Sequence, residues 1–74
     1  MDGEAQVNDF SQFLIDVGFY FHMNHDWRFG QTCFNVFAEH DPAGAEVVRG
    51  TWLDPFNDDN VAPEFLKYVR DSWV

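Results

Sequence analysis

Residues 27–39, WRFGQTCFNVFAE, carry the pattern on which the fold turns. Phe29, Cys33, Val36 and Phe37 recur at three- and four-residue intervals, and Phe34 widens the stripe. Arg28, Gln31, Thr32, Asn35 and Glu39 occupy the other side. Such spacing places one apolar face along a helix, so a helix is predicted from about Trp27 to Glu39. The polar MNHDW segment before it offers Asn24 or Asp26 as a cap.

Upstream, Phe10, Phe13, Leu14, Val17 and Phe21 repeat the helical spacing, with Asp9, Gln12 and Asp16 on the opposite side. Asn8 is the cap candidate, and Asp9 falls in the first turn near the positive end of the dipole. Gly18 weakens this helix by about 1 kcal/mol or less and permits a bend or a close contact. Residues 1–7 read as a frayed polar start. Downstream, Asp41 before Pro42 reads as cap and first residue of a short helix that ends at Gly50. TWLDPFNDDN (51–60) is an irregular connector. A last helix, about Val61 to Trp73, puts Phe65, Leu66, Val69 and Trp73 on one face, with Pro63 tolerated in its first turn. VFA and EVV are the only ambiguous strand signals. The predicted architecture is all-α: one domain over residues 1–74, a compact bundle of three main helices plus one short helix.

Composition bounds the rest. A chain of 74 residues buries a modest core, and here nine phenylalanines, three tryptophans and two tyrosines supply it. So many aromatics on so small a body raise the prospect of an exposed cluster and hence a homodimer. Cys33 is the only cysteine, which fits a reducing, cytoplasmic compartment. MDGEAQVNDF lacks the features of a signal peptide, and FLIDVGFYF is too short to span a membrane.

Known site chemistries fit poorly. An EF-hand loop begun at Asp54 or Asn57 lacks the glycine at its sixth position and misplaces its ligands. His22 and His25 are three apart but have no second ligand pair, so no metal or other cofactor is expected. Cys33 lies on an apolar stripe, where a thiol is ordinarily inert. His40 is about 10 Å further along the axis, too far for direct proton transfer. Arg28 and Arg49 are poor material for phosphate, and no glycine-rich loop exists. The expectation is a protein that is not an enzyme.

The charge remains. Thirteen acids against four bases give −9, which disfavours direct contact with nucleic acid or an anionic membrane. Solubility alone accounts for a net charge of about 2–8 in a small domain, so clustering matters more than the total. Asp41, Glu46, Asp54, Asp58, Asp59, Glu64 and Asp71 all lie in the second half, and Thr51–Phe65 holds four acids and no base. These seven carboxylates are the expected contacts to a basic partner, with Trp52 and Phe56 as aromatic anchors. The alternative for both aromatics is that they close the core beneath the connector. Asp54 before Pro55 also reads as a turn, and Asp59 or Asn60 as the cap of the last helix.

A small, acidic, cysteine-poor chain of this character resembles phage-encoded inhibitors of bacterial defence, anti-CRISPR proteins among them. Several of those resemble DNA in charge and block a nucleic-acid-binding surface. The resemblance implies a non-catalytic inhibitor whose partner is a basic nucleic-acid-binding protein or Cas complex, acting in the bacterial cytoplasm. WRFGQTCFNVF (27–37), RGTWLDPFNDD (49–59) and FLKYV (65–69) are also similar to a group of short uncharacterised bacterial and phage proteins. The other reading of the same features is a dimerising structural or regulatory module whose acidity provides only solubility.

Overall fold

A computed structural model describes residues 9–73, and Asn8 with the expected frayed start lies outside them. Four helices follow in order: α1 (Phe10–Met23), α2 (Phe29–His40), α3 (Pro42–Val48) and, after a 3-10 turn at Asp59–Val61, α4 (Ala62–Ser72). No strand forms among the described residues. The chain is an all-α bundle of three main helices and one short one.

α2 is the centre. It packs against α1, α3, α4 and the 3-10 turn, and buries Gly30, Thr32, Cys33, Phe34, Val36 and Phe37. Around it the core is built of packed rings. Phe37 meets Phe65 edge-on at 5.2 Å and stacks on Trp73 at 5.6 Å, and Phe13 meets Trp73 edge-on at 5.4 Å. Phe34 packs edge-on to Phe56, and the Arg49 guanidinium sits 5.1 Å from the Phe34 ring centre. Such aromatic pairs add about 0.5–1.5 kcal/mol each beyond the area they bury.

The helix ends differ from the sequence expectation in instructive ways. Asp9 is the cap of α1, not a first-turn residue: its carboxylate accepts from the amides of Ser11 and Gln12. Asn24 closes α1 instead of opening α2, donating its side-chain amide to the Tyr20 carbonyl. Arg28 takes the cap position of α2, two residues later than expected. The Gln31 side chain accepts from its amide at 3.3 Å. The free amide of Gly30 finds its acceptor 29 residues away, in Asp59. Asp41, Pro42 and Gly50 behave as read. Asp41 caps α3 through the Gly44 amide, and Gly50 adopts the left-handed φ of 78° that glycine accepts readily. The last helix is preceded by a 3-10 turn capped by Asp58, not by Asp59 or Asn60.

The connector lies directly on α2. Pro55 is buried, and its carbonyl oxygen lies only 2.2 Å from where a Cβ on Gly30 would stand. Only a residue without a Cβ admits the backbone this closely. Gly30→Ala is therefore expected to lower unfolding stability by about 1–3 kcal/mol through overpacking, measured by urea denaturation. An unchanged midpoint would show that the connector can be displaced without loss.

Candidate functional site

The seven carboxylates singled out in the sequence have distinct surroundings. Asp54 is turned inward, one oxygen accepting from the Gly50 amide at 2.8 Å and the other from the Phe56 amide at 2.9 Å. Asp41 accepts from Gly44 and from the Trp73 indole, which ties the end of α4 to the start of α3. Glu46 pairs with Arg49 at 3.2 Å, and Asp71 with the adjacent Arg70 at 3.2 Å. Both are exposed pairs, worth little energetically.

Asp58, Asp59 and Glu64 are exposed on one short stretch around the 3-10 turn. The Asp58 carboxylate accepts from Asn60, and Asp59 accepts from Gly30 at the start of α2. Helix amino termini carry a partial positive charge of roughly half a unit, which holds such anions in place without cancelling them. The run of acids is less isolated in space than in sequence. Arg28 reaches across from α2, donating to the Phe56 carbonyl at 3.0 Å and to the Asn57 side chain at 3.2 Å.

The two aromatics separate. Phe56 is partly buried against Phe34 and belongs to the core margin. Trp52 is 76% exposed and closes nothing.

The titratable side chains near α2 have structural roles. Burial pushes the Cys33 thiol up to about 12, with the negative charge of Asp59 adding to the effect. At neutral pH this sulfur is a protonated thiol without nucleophilic character. His40 hydrogen-bonds Asp16 at 2.8 Å and thereby joins α2 to α1. That bond, with a second from Gln12, holds the Asp16 carboxyl below its ordinary value. His22 and His25 are exposed at the α1–α2 turn, their rings 6.1 Å apart. Among the described residues no three His, Cys, Asp or Glu side chains converge as metal ligands would. A shallow furrow of about 260 Å³ between α1 and α2 is lined by Asp16, Tyr20, Val36, Glu39 and His40. It is open and below the roughly 300–1,000 Å³ of most small-molecule sites.

The exposed aromatic cluster expected from composition falls on α1, a place that composition did not indicate. The outer side of α1 leaves Leu14, Ile15, Phe19 and Phe21 exposed, with Phe29 beside Phe21, while Tyr20 is exposed over the furrow and Met23 at the helix end. Leu14 and Phe21, which the spacing assigns to the core stripe, are exposed, and only Phe13 and Val17 of α1 are buried. The signal was present: nine of the fourteen residues of FSQFLIDVGFYFHM are apolar or aromatic, more than one face can hold. No described helix is long and apolar enough to cross a membrane.

The chain matches no family model, no curated protein and no solved structure.

Two outcomes are expected. Iodoacetamide should leave Cys33 of the native protein unmodified at about pH 8 and alkylate it only as urea unfolds the chain. Rapid labelling of native protein would contradict the buried, protonated thiol. For Asp16, a carboxyl lowered by folding stabilises the native state above its ordinary value of 3.8, and that contribution disappears as pH falls through the folded value. Asp16→Asn should therefore be less stable than wild type at about pH 6, and the gap should close in acid below 3.8. A gap independent of pH would mean that the charge on Asp16 contributes nothing.

Proposed function

We propose that this chain acts by binding and not by catalysis, as an acidic inhibitor of a bacterial defence complex of the CRISPR-Cas kind. It would occupy a basic, nucleic-acid-binding surface and block DNA access by charge and bulk. The observation that supports this most is the exposure of Asp58 and Asp59 on a braced turn, and of Glu64 in the first turn of α4 that follows, in a chain with net charge −9. Asp58 and Asp59 are fixed by backbone amides. Each loses rotamer freedom in the free chain, so less ordering remains to be done on binding. Trp52, exposed on the same connector, supplies an apolar anchor of the type that dominates interface energies. Asp41 and Asp54, turned inward, and Glu46 and Asp71, paired with arginines, take a secondary place in this reading. The choice of target rests on likeness in overall character to phage inhibitors. The charge and rigidity of the turn support the mode of binding.

A second reading, a small structural or regulatory module that pairs with itself, is favoured by the exposed apolar side of α1. In that case the acidity provides solubility and nothing more.

The test is isosteric neutralisation. Asp58→Asn, Asp59→Asn and Glu64→Gln together keep every cap acceptor and remove three charges. Displacement of duplex DNA from Cas effector complexes should weaken about tenfold or more in the triple variant, with helicity intact. It should also weaken steeply as salt rises from about 0.05 M to about 0.5 M. Equal potency of the two proteins, or displacement indifferent to salt, rules out the charge mechanism.

A further inference from the structure

We infer that two copies of this chain pair through the outer side of α1, with the two helices crossing at Gly18. This does not rest on the defence-complex reading and uses a different surface.

α1 packs chiefly on α2, with Trp73 at the end of α4 set against Phe13. Among the described residues the far side of α1 is uncovered, with Ile15 and Phe19 more than half exposed. At about 100° per residue, one arc of the helix runs from Phe21 through Leu14, Gly18 and Ile15 to Phe19. Within that arc only Ser11 and His22 are polar, and no acid or permanent base occurs. Asp16 lies outside it, turned toward His40.

Gly18 stands near the middle of the arc. A Cβ there would meet nothing within 4 Å, so the single chain has no steric need for glycine. Glycine is also disfavoured in a helix interior relative to alanine. Its place becomes intelligible where a second helix crosses: helices pack at axial separations of about 8–10 Å, and the smallest residue belongs at the point of closest approach. A two-fold axis near Gly18 would set the same residues of both copies against each other.

The amount of surface fits. Leu14, Ile15, Phe19, Phe21 and Phe29 are 44, 63, 55, 42 and 36% exposed. At roughly 200 Å² for a large side chain, they offer roughly 500 Å² of apolar area. A standard interface buries about 800 Å² per partner, about 60% of it apolar, which is the same amount. Charge selects the occupant. With −9 on each copy, a contact through the acid-free side keeps the two sets of carboxylates apart. The same side gives a basic partner nothing to pair with.

Sedimentation equilibrium of the full chain from about 1 to 100 µM, in about 0.15 M salt, tests this. The expected result is a species of twice the 8.7 kDa chain mass whose formation tightens as salt screens the like charges. Gly18→Leu, and separately Ile15→Glu with Phe19→Glu, should each weaken dimerisation at least about tenfold with unchanged circular dichroism, because these positions are exposed. A monomer throughout, or a dimer that both variants leave intact, overturns the inference. So does a dimer lost on neutralising Asp58, Asp59 and Glu64 but not on changing α1. An intact dimer with no effect on any defence complex removes the inhibitor reading alone.

Discussion

The approach of the Pro55 carbonyl to Gly30 is the constraint on which the rest of this small fold depends. It brings an irregular connector flat against the first turn of the central helix. Three further bonds hold it there: Asp59 accepts from the Gly30 amide, and Arg28 donates to Phe56 and Asn57. Asp54 braces the connector from within. With the connector seated, the 3-10 turn and α4 start where Phe65 falls edge-on to Phe37 and Trp73 closes over Phe13.

The same contact explains part of the charge. A chain with thirteen acids and four bases would be expected to resist compaction through self-repulsion. Here many carboxylates sit where amide groups already point outward. Asp9, Asp41 and Asp58 cap helical segments, Asp59 serves α2 from a distance, and Asp54 braces a turn. Each anion meets partial positive charge at a helix start or turn, and that attraction offsets the cost of assembling so many acids. Acidity is thus partly a means of making short helices and tight turns in a chain with few other stabilising devices. Which acids remain for a partner is decided by geometry, and they are fewer than the sequence count implies.

The surface is divided in character. One side of the bundle carries braced acids around the 3-10 turn, and the outer side of α1 is apolar and free of acid. The core takes only Phe13 and Val17 from α1, so the apolar residues of this helix beyond that need stay exposed. A binding role that uses both surfaces is coherent: paired copies would present two acidic turns, and two linked contacts strengthen attachment where a target offers two basic sites.

The helical periods, the Asp41–Pro42 start, the Gly50 stop and the all-α class were legible because they are local: each depends on residues within about four positions of one another. The aromatic core on Phe37, Phe65 and Trp73 was legible for the same reason, since each lies on an apolar stripe of its own helix. Three things were decided only by tertiary structure. Gly30 and Asp59 are partners across 29 residues, so the cap of α2 could not be found near its start. Arg28 is brought by the fold onto the segment from Thr51 to Phe65, which holds no base of its own. The outward side of α1 depends on how many neighbours that helix has, and an apolar pattern states which residues avoid water without stating what covers them.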